Sequence, residues 1–338
     1  MIEIDGSHGE GGGQILRTAV ALSAVTGEAV KVRNIRAGRA NPGLAPSHIT
    51  SIEAVAEICG ADVDGLFPGS KEIAFRPGQL VGGEFEFDVG TAGSISLVAQ
   101  CCLLPALLSK TKVRMTLKGG TDVKWSPPID YMRLVLLPVL DMMGGRASLE
   151  IVSRGFYPEG GGETLLETWP SGQFASLDLS TRGRVLSITG TAFAQNLPEH
   201  VVARMRHAAL KRLLEFKEVR IESDLRRGRS TGAGIVLAAI CEKSVIGSSA
   251  LGARGVRSEA LGDECAAGLL ETLRSGASVD EYLLDQLLPY MALAGSGSCM
   301  LAEEITSHAE TNMWVIEQFL GSRFEVEVRD GLTEVRVV

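Results

Sequence analysis

The sequence predicts an α/β protein: three repeated β-α-β-α-β-β units, the third interrupted by a smaller α/β domain. Three observations point there. A helix–glycine–strand–strand pattern recurs three times, its capping glycines are unequally spaced, and the apolar content suits a large core. Of 338 residues, 45% are hydrophobic and 40 are glycine. That composition calls for extensive burial and many tight connections.

The first unit opens with the alternating strand "MIEID", followed by a helix over Gln14–Val25. Its second half is "VAEICGADVDGLFPGSKEIAFRP" (55–77). There an amphipathic helix ends at a glycine free to take positive φ, and two short alternating strands follow. The second unit repeats the plan with "EFEFDVG", a helix over Ser94–Leu108, and "VLDMMGGRASLEIVSRGFYPEGGGETLLETW" (139–169). A helix over Val279–Leu293 and "VIEQFLGSRFEVEVRDGLTEVRVV" (315–338) belong to the third. From Gly60 to Gly144 is 84 residues, and from Gly144 to Gly321 is 177. The excess of about 93 residues is an inserted module, placed at 181–277, leaving 1–180 and 278–338 as the large domain. The insert has its own pattern: strand "VLSITGTAFA", helix "EHVVARMRHAALKRLLEF", strand "VRIES", strands around "AGIVLAAICE" and helix "SEALGDECAAGLLETLRSG". An exposed edge of its sheet would support a homodimer.

A formal charge of -8 argues against a protein that coats nucleic acid nonspecifically, which needs a broad basic surface. It leaves room for a local basic pocket. None of the six cysteines forms a CxxC pair, and most sit in apolar runs. Buried, reduced thiols in a reducing compartment are expected, and a zinc site is not. The N-terminal "MIEIDGSHGEGGG" lacks a basic region followed by an apolar core, so no signal peptide is expected. The apolar run Ser96–Ser109 is too short to span a bilayer. The expectation is a cytoplasmic protein with no membrane partner.

Chemistry concentrates in a few stretches. In "GSHGEGGGQILRTAVALSAVTG" (6–27) glycines cluster just before a helix. Backbone N–H groups there can face an anion, or the run is a structural turn. No Gly-Lys-Ser/Thr follows, so it is not a Walker loop. Glu10 can offer oxygen to Mg²⁺ or Mn²⁺, and Arg17, one turn into the helix, can clamp a phosphate; a plain surface pair is the simpler alternative. "VRNIRAGRANPGLAPSHIT" (32–50) sets Arg33, Arg36 and Arg39 at three-residue spacing, suited to a phosphate-dense ligand or to a solvated loop. His48 caps or packs at a helix start. "SRGFYPEGGGE" (153–163) reads as a long hairpin. "ITSHAETN" (305–312) holds one of only five histidines, between an alternating stretch (Cys299–Thr306) and a helical one (Ala309–Leu320). By itself that histidine is a cap or a structural residue.

Taken together, "GEGGGQILR" (9–17), "IRAGRANPGL" (35–44), "TAGSISLVAQ" (91–100), "GGTD" (119–122), "RGFYPEGGG" (154–162), "DEYLLDQL" (280–287) and "HAETN" (308–312) resemble the RNA 3'-terminal phosphate cyclase family, end to end. The resemblance implies three repeats similar to the C-terminal domain of a translation initiation factor, with a smaller inserted α/β domain. It also implies an activity. A histidine attacks the α-phosphate of ATP, AMP passes to an RNA 3'-phosphate end, and the vicinal 2'-OH closes a 2',3'-cyclic phosphate.

Residue roles follow from the same resemblance. His308 matches the nucleophile, for which a neutral imidazole is suited because its phosphoramidate is labile. Glu10 matches the metal-coordinating carboxylate. Gln14, Arg17, Arg36 and Arg39 match phosphate contacts. Gln100 and the run Tyr282, Leu283, Leu284, Asp285, Gln286 match the nucleotide site, with Tyr282 and Pro128 sandwiching adenine. Asp285 either holds the nucleotide or orients the histidine. Ser47 stands where many relatives carry glutamine, which leaves one polar contact unmatched. Arg204, Arg206, Lys211, Arg212, Arg226, Arg227 and Arg229 of the insert either track RNA or form a solvated face. Two other functions are compatible with the fold: a non-catalytic ribosome-assembly relative, or an enolpyruvyl-transferase-like enzyme. The histidine with Glu10 and Arg17 favours the cyclase.

Overall fold

The computed structural model of the chain describes residues 1–321 and 323–338. Ser322, in the third of the recurring segments, lies outside the described residues. The structure is mixed α/β. The first sheet comes from β1 (Ile2–Asp5), β2 (Val30–Arg33), β3 (Asp62–Asp64) and β4 (Ile73–Arg76), with α1 (Gly13–Thr26) and α2 (Pro46–Cys59) between them. Gly27 and Gly60 end the two helices in the left-handed conformation that glycine takes without steric cost.

The second sheet holds β5 (Gly83–Asp88), β6 (Val113–Gly119), β7 (Ala147–Ser153) and β8 (Gly162–Thr168), with α3 (Ile95–Leu107) between β5 and β6. The helix expected before Gly144 is irregular. It runs as α4 (Ile129–Tyr131), a π-helical turn (Met132–Leu136) and α5 (Leu137–Met142). Pro138 has no N–H for the preceding turn, a reason for the ladder to slip there.

Next come β9 (Asp178–Leu179), β10 (Val185–Gln195), α6 (Glu199–Arg212), β11 (Val219–Arg226), β12 (Gly232–Cys241), β13 (Val245–Leu251) and α7 (Ser258–Ser275). The chain closes with α8 (Glu281–Ala294), β14 (Cys299–Ala302), α9 (Ser307–Leu320), β15 (Phe324–Arg329) and β16 (Leu332–Val337).

Three of the sheets are ordered β1-β2-β4-β3, β5-β6-β8-β7 and β9-β14-β16-β15. In each the first pair is parallel and the other two are antiparallel. The fourth sheet, β11-β10-β12-β13, lies between β9 and α8 in the chain. Buried residues from the first three sheets and their helices form one core, joined by Phe193, Val236, Ala238 and Val245, and other buried residues between 188 and 273 form a second. Strand β12 sits between the two. Ile235, Leu237 and Ala239 face the second core, while Val236 and Ala238 face the first. That is the two-residue alternation of a strand buried on both sides.

The hairpin expected at 153–163 joins β7 to β8, and its Arg154 is fully buried. Its guanidinium meets Asp122 at 3.1 Å, Asp130 at 2.6 Å and Asp224 at 2.9 Å, and lies 3.8 Å over the Phe193 ring. Asp224 and Phe193 belong to the fourth sheet, so this charge cluster ties that sheet to the second. All six cysteines are free and buried. No helix among the described residues is long and apolar enough to cross a membrane.

Candidate active site

The glycine-rich loop between β1 and α1 runs along one face of α9. His8 stacks on Trp314 with ring centroids 3.9 Å apart. Gly9 sits at φ 54°, so close to the Thr311 hydroxyl that a side chain would overlap it. The Glu10 N–H donates to Thr311 Oγ1 at 3.4 Å. The Glu10 carboxylate reaches the His308 ring, with Oε2 2.7 Å from Nδ1. Positions 308, 311 and 314 are three apart and share a helical face, so three successive loop residues meet three successive turns.

Helix α9 starts at Ser307, earlier than expected, so His308 lies inside its first turn. The Thr306 hydroxyl caps the helix by accepting from Ala309 N–H at 3.0 Å. The His308 side chain is 52% exposed and can be reached from solvent. Nδ1 and Oε2 approach closely but without hydrogen-bond geometry, and Oε2 is buried with no hydrogen-bond partner among the described residues. A neutral imidazole keeps a free lone pair on one ring nitrogen.

Behind this pair lies a polar network. Gln14 Nε2 donates to Asp285 Oδ1. Asn312 Nδ2 donates to the Asp285 backbone oxygen at 2.9 Å and to Oδ1 at 3.2 Å. Thr18 Oγ1 donates to Asn312 Oδ1 at 2.7 Å. Burial pushes the Asp285 carboxyl up to about 6, against the opposing pull of Gln14, His308, Arg17 and Asn312. Asp285 thus bridges α1, α8 and α9, while the His308 Nδ1 contact goes to Glu10.

The basic residues divide by what holds them. Arg36, at φ 54°, donates to the backbone oxygens of Asn41 at 2.7 Å and Gly43 at 3.0 Å and shapes its own loop. Arg39 pairs with Glu10 Oε1. Arg33 pairs with Glu3 and Glu72 instead, away from the site. Arg17 is half-buried, and desolvation lowers its pKa. It lines a cavity of about 40 Å³ with Gln14, Gln100, Gln286, Tyr290 and Asn312. Gln286 Oε1 and the Tyr290 hydroxyl are buried without a hydrogen-bond partner among the described residues.

The N-terminus of α8 carries the other expected nucleotide residues. Its cap, Asp280, accepts from the Tyr282 and Leu283 N–H groups, from Tyr131 OH at 2.5 Å and from Gly247 N–H at 2.7 Å. Tyr282 remains 39% exposed and meets Tyr131 edge-on at 5.5 Å. Pro128 caps the short helix that ends at Tyr131, which puts it one turn from that pair. Leu283 and Leu284 are core side chains, leaving only their backbone to a ligand.

His48 is a buried cap. Its Nδ1 accepts from Ala45 N–H at 3.1 Å, and its ring packs against Gly13. Burial, with Arg17 and Arg36 nearby, holds it down at about 3 and therefore neutral. Thr18 and Asn312 were not expected from sequence, although each lies four residues after a site residue, Gln14 and His308, on the same helical face. Around the fourth sheet, Arg226 donates to the Ile151 and Val152 oxygens at 2.7 and 2.8 Å, and Arg212 pairs with Asp263 at 2.5 Å. These two arginines are engaged in structure.

A family model described as RNA 3'-terminal phosphate cyclase matches residues 8–326. This chain belongs to the RNA 3'-terminal phosphate cyclase family. A family member from Methanosarcina barkeri (strain Fusaro / DSM 804) is 47% identical over 340 residues, covering all of both chains. One from Nitrosospira multiformis is 46% identical over 339 residues, 99% of this chain and 96% of that one. One from Archaeoglobus fulgidus is 46% identical over 330 residues, 97% and 98% respectively. Each bears the name RNA 3'-terminal phosphate cyclase. The loop–helix contact described above therefore lies within a cyclase-family chain.

Proposed function

We propose that this protein is an ATP-dependent RNA 3'-terminal phosphate cyclase working through a covalent His308–AMP intermediate. The observation that carries the reading is the 2.7 Å approach of Glu10 to Nδ1 of a solvent-reachable His308 at a helix N-terminus. We take Nε2, the ring nitrogen away from the carboxylate, as the nucleophile. It bonds to the α-phosphorus of ATP, the bond to the bridging oxygen breaks, and pyrophosphate leaves with the electron pair. The RNA 3'-phosphate oxygen then attacks the same phosphorus, and the P–N bond returns its pair to Nε2. Last, the vicinal 2'-OH attacks the terminal phosphorus, loses its proton to water and expels AMP.

The positive dipole end of α9, with Arg17 and Arg39, stabilises the transferring phosphoryl group. Gln14, Gln100 and Gln286 offer amides to the phosphates or ribose. Tyr282 and Pro128 offer faces to adenine. Glu10 supplies one carboxylate, which fits the habit of Mg²⁺ or Mn²⁺ of taking one or two protein oxygens with phosphate oxygens and water. Held there, such an ion would neutralise charge on the triphosphate and the leaving pyrophosphate, with Glu10 released from Arg39 to hold it.

We take the three like-ordered sheets as repeats of one unit, similar to an initiation factor C-terminal domain, with 181–277 as the inserted domain. The free, buried thiols support a cytoplasmic setting. An intact His308–Glu10 pair favours catalysis over an assembly role alone.

The test is to incubate the protein with ATP, Mg²⁺ or Mn²⁺ and an RNA ending in a 3'-phosphate. The expected products are a phosphatase-resistant cyclic end, AMP and pyrophosphate. An RNA end that stays phosphatase-sensitive with both metals contradicts the reading.

A further inference from the structure

A second cleft, of about 720 Å³, is used by none of the steps above. Ser47, Asp122, Lys124, Trp125, Tyr157 and Arg254 are among the residues that line it. It lies between the loop after β6, the β7–β8 hairpin and the inserted sheet. Aromatic residues are only 5% of this chain, yet two of them stand in solvent here, Trp125 at 96% and Tyr157 at 78% exposed. Trp125 also sits at φ 70°, a conformation a bulky residue rarely holds without constraint from its surroundings. Lys124 and Arg254 bring positive charge to the same walls. Asp122 is buried, and its Oδ1 has no hydrogen-bond partner among the described residues.

The cleft begins beside the site. Ser47 is at the first turn of α2, and the next residue, His48, packs on Gly13, where α1 and its Gln14 and Arg17 begin. An RNA whose 3' end enters the site must leave along some surface. Single strands are held by π faces for the bases and cations along the backbone, with little regard for sequence. This cleft supplies both. We propose that it holds the nucleotides just upstream of the RNA 3' end, with bases stacked on Trp125 and Tyr157 and the backbone followed by Lys124 and Arg254. Asp122 Oδ1 offers an acceptor to a ribose hydroxyl or a base N–H. The proposal rests on the cyclase reading and adds to it a route for the substrate.

The test compares the wild type with Trp125→Ala, Tyr157→Ala and Trp125→Phe. Binding of a 5'-labelled single-stranded RNA decamer with a 3'-phosphate is followed by fluorescence anisotropy without ATP. Cyclisation of the decamer and of a nucleoside 3',5'-bisphosphate, which has no upstream nucleotides, is measured alongside. Each alanine variant is expected to raise the decamer Kd roughly tenfold. Trp125→Phe should keep most of the affinity, and cyclisation of the bisphosphate should not change. Alanine variants that bind the decamer like the wild type overturn the proposal and leave the aromatics to another partner, such as a protein. Equal losses on decamer and bisphosphate overturn it too, since the aromatics then act through the site. If the wild type cyclises neither substrate, the cyclase reading falls and this route with it. If it cyclises both and the variants match it, only the route falls.

Discussion

At the first turn of α2, the His48 imidazole faces Arg17 and Arg36 and has almost no contact with water. Its pKa falls from 6.5 to about 3, so the unfolded chain takes up a proton before the folded one does. The stability this provides is present above pH 6.5 and is lost as pH falls towards 3. Asp285 acts in the opposite sense. Its carboxyl is raised from 3.8 to about 6, so its contribution is present below 3.8 and lost as pH rises through 6. Substituting His48→Gln keeps an acceptor for the Ala45 N–H and removes the titrating ring. Urea unfolding at pH 7 and pH 4 should show a smaller loss on acidification in the variant. Matching pH profiles would contradict a buried neutral imidazole. Several site residues were legible in the sequence only through the order of the family's motifs, as with His308, Glu10 and Tyr282. Arg154 was not, because its carboxylates lie 24 to 70 residues away in the chain and local pattern cannot bring them together.

The element that organises the site is the pairing of a glycine loop with a helix face. Gly9 is needed twice, for positive φ and for its approach to Thr311, whereas Gly27 at φ 76° has open space around it. That contrast gives a controlled experiment. Alanine at either position should cost about 1 kcal/mol in backbone strain. Only Gly9→Ala should push the loop off α9 and slow transfer of AMP to the protein. Equal labelling rates in the two variants would mean that the loop's seat on α9 does not position Glu10. The strands and helices themselves were largely legible, because alternation and glycine caps are local signals. The irregular helix before Gly144 and the early start of α9 were not. The first depends on a backbone slip, the second on a threonine cap read as part of a strand.

On the scale of the molecule, the site is a meeting of parts distant in sequence. Glu10, Gln14 and Arg17 belong to the loop and helix after β1, Gln100 to α3, and Asp285, His308 and Asn312 to α8 and α9. The fourth sheet is held to them by Arg154 and by Asp280, whose carboxylate accepts from Gly247 of β13 while capping α8. The spacing of Gly60, Gly144 and Gly321 suggested an extra module at 181–277, and the fourth sheet falls inside those bounds. How that sheet packs could not be read that way, since β12 buries both faces and its side chains look alike from either. The most direct measurement incubates the protein with α-labelled ATP and Mg²⁺ or Mn²⁺, without RNA, and compares it with His308→Ala. The account predicts acid-labile AMP on the wild type and none on the variant, with the variant's unfolding midpoint nearly unchanged because the side chain is half in solvent. Label that persists on His308→Ala, or a folded wild type that takes none with either metal, would contradict it.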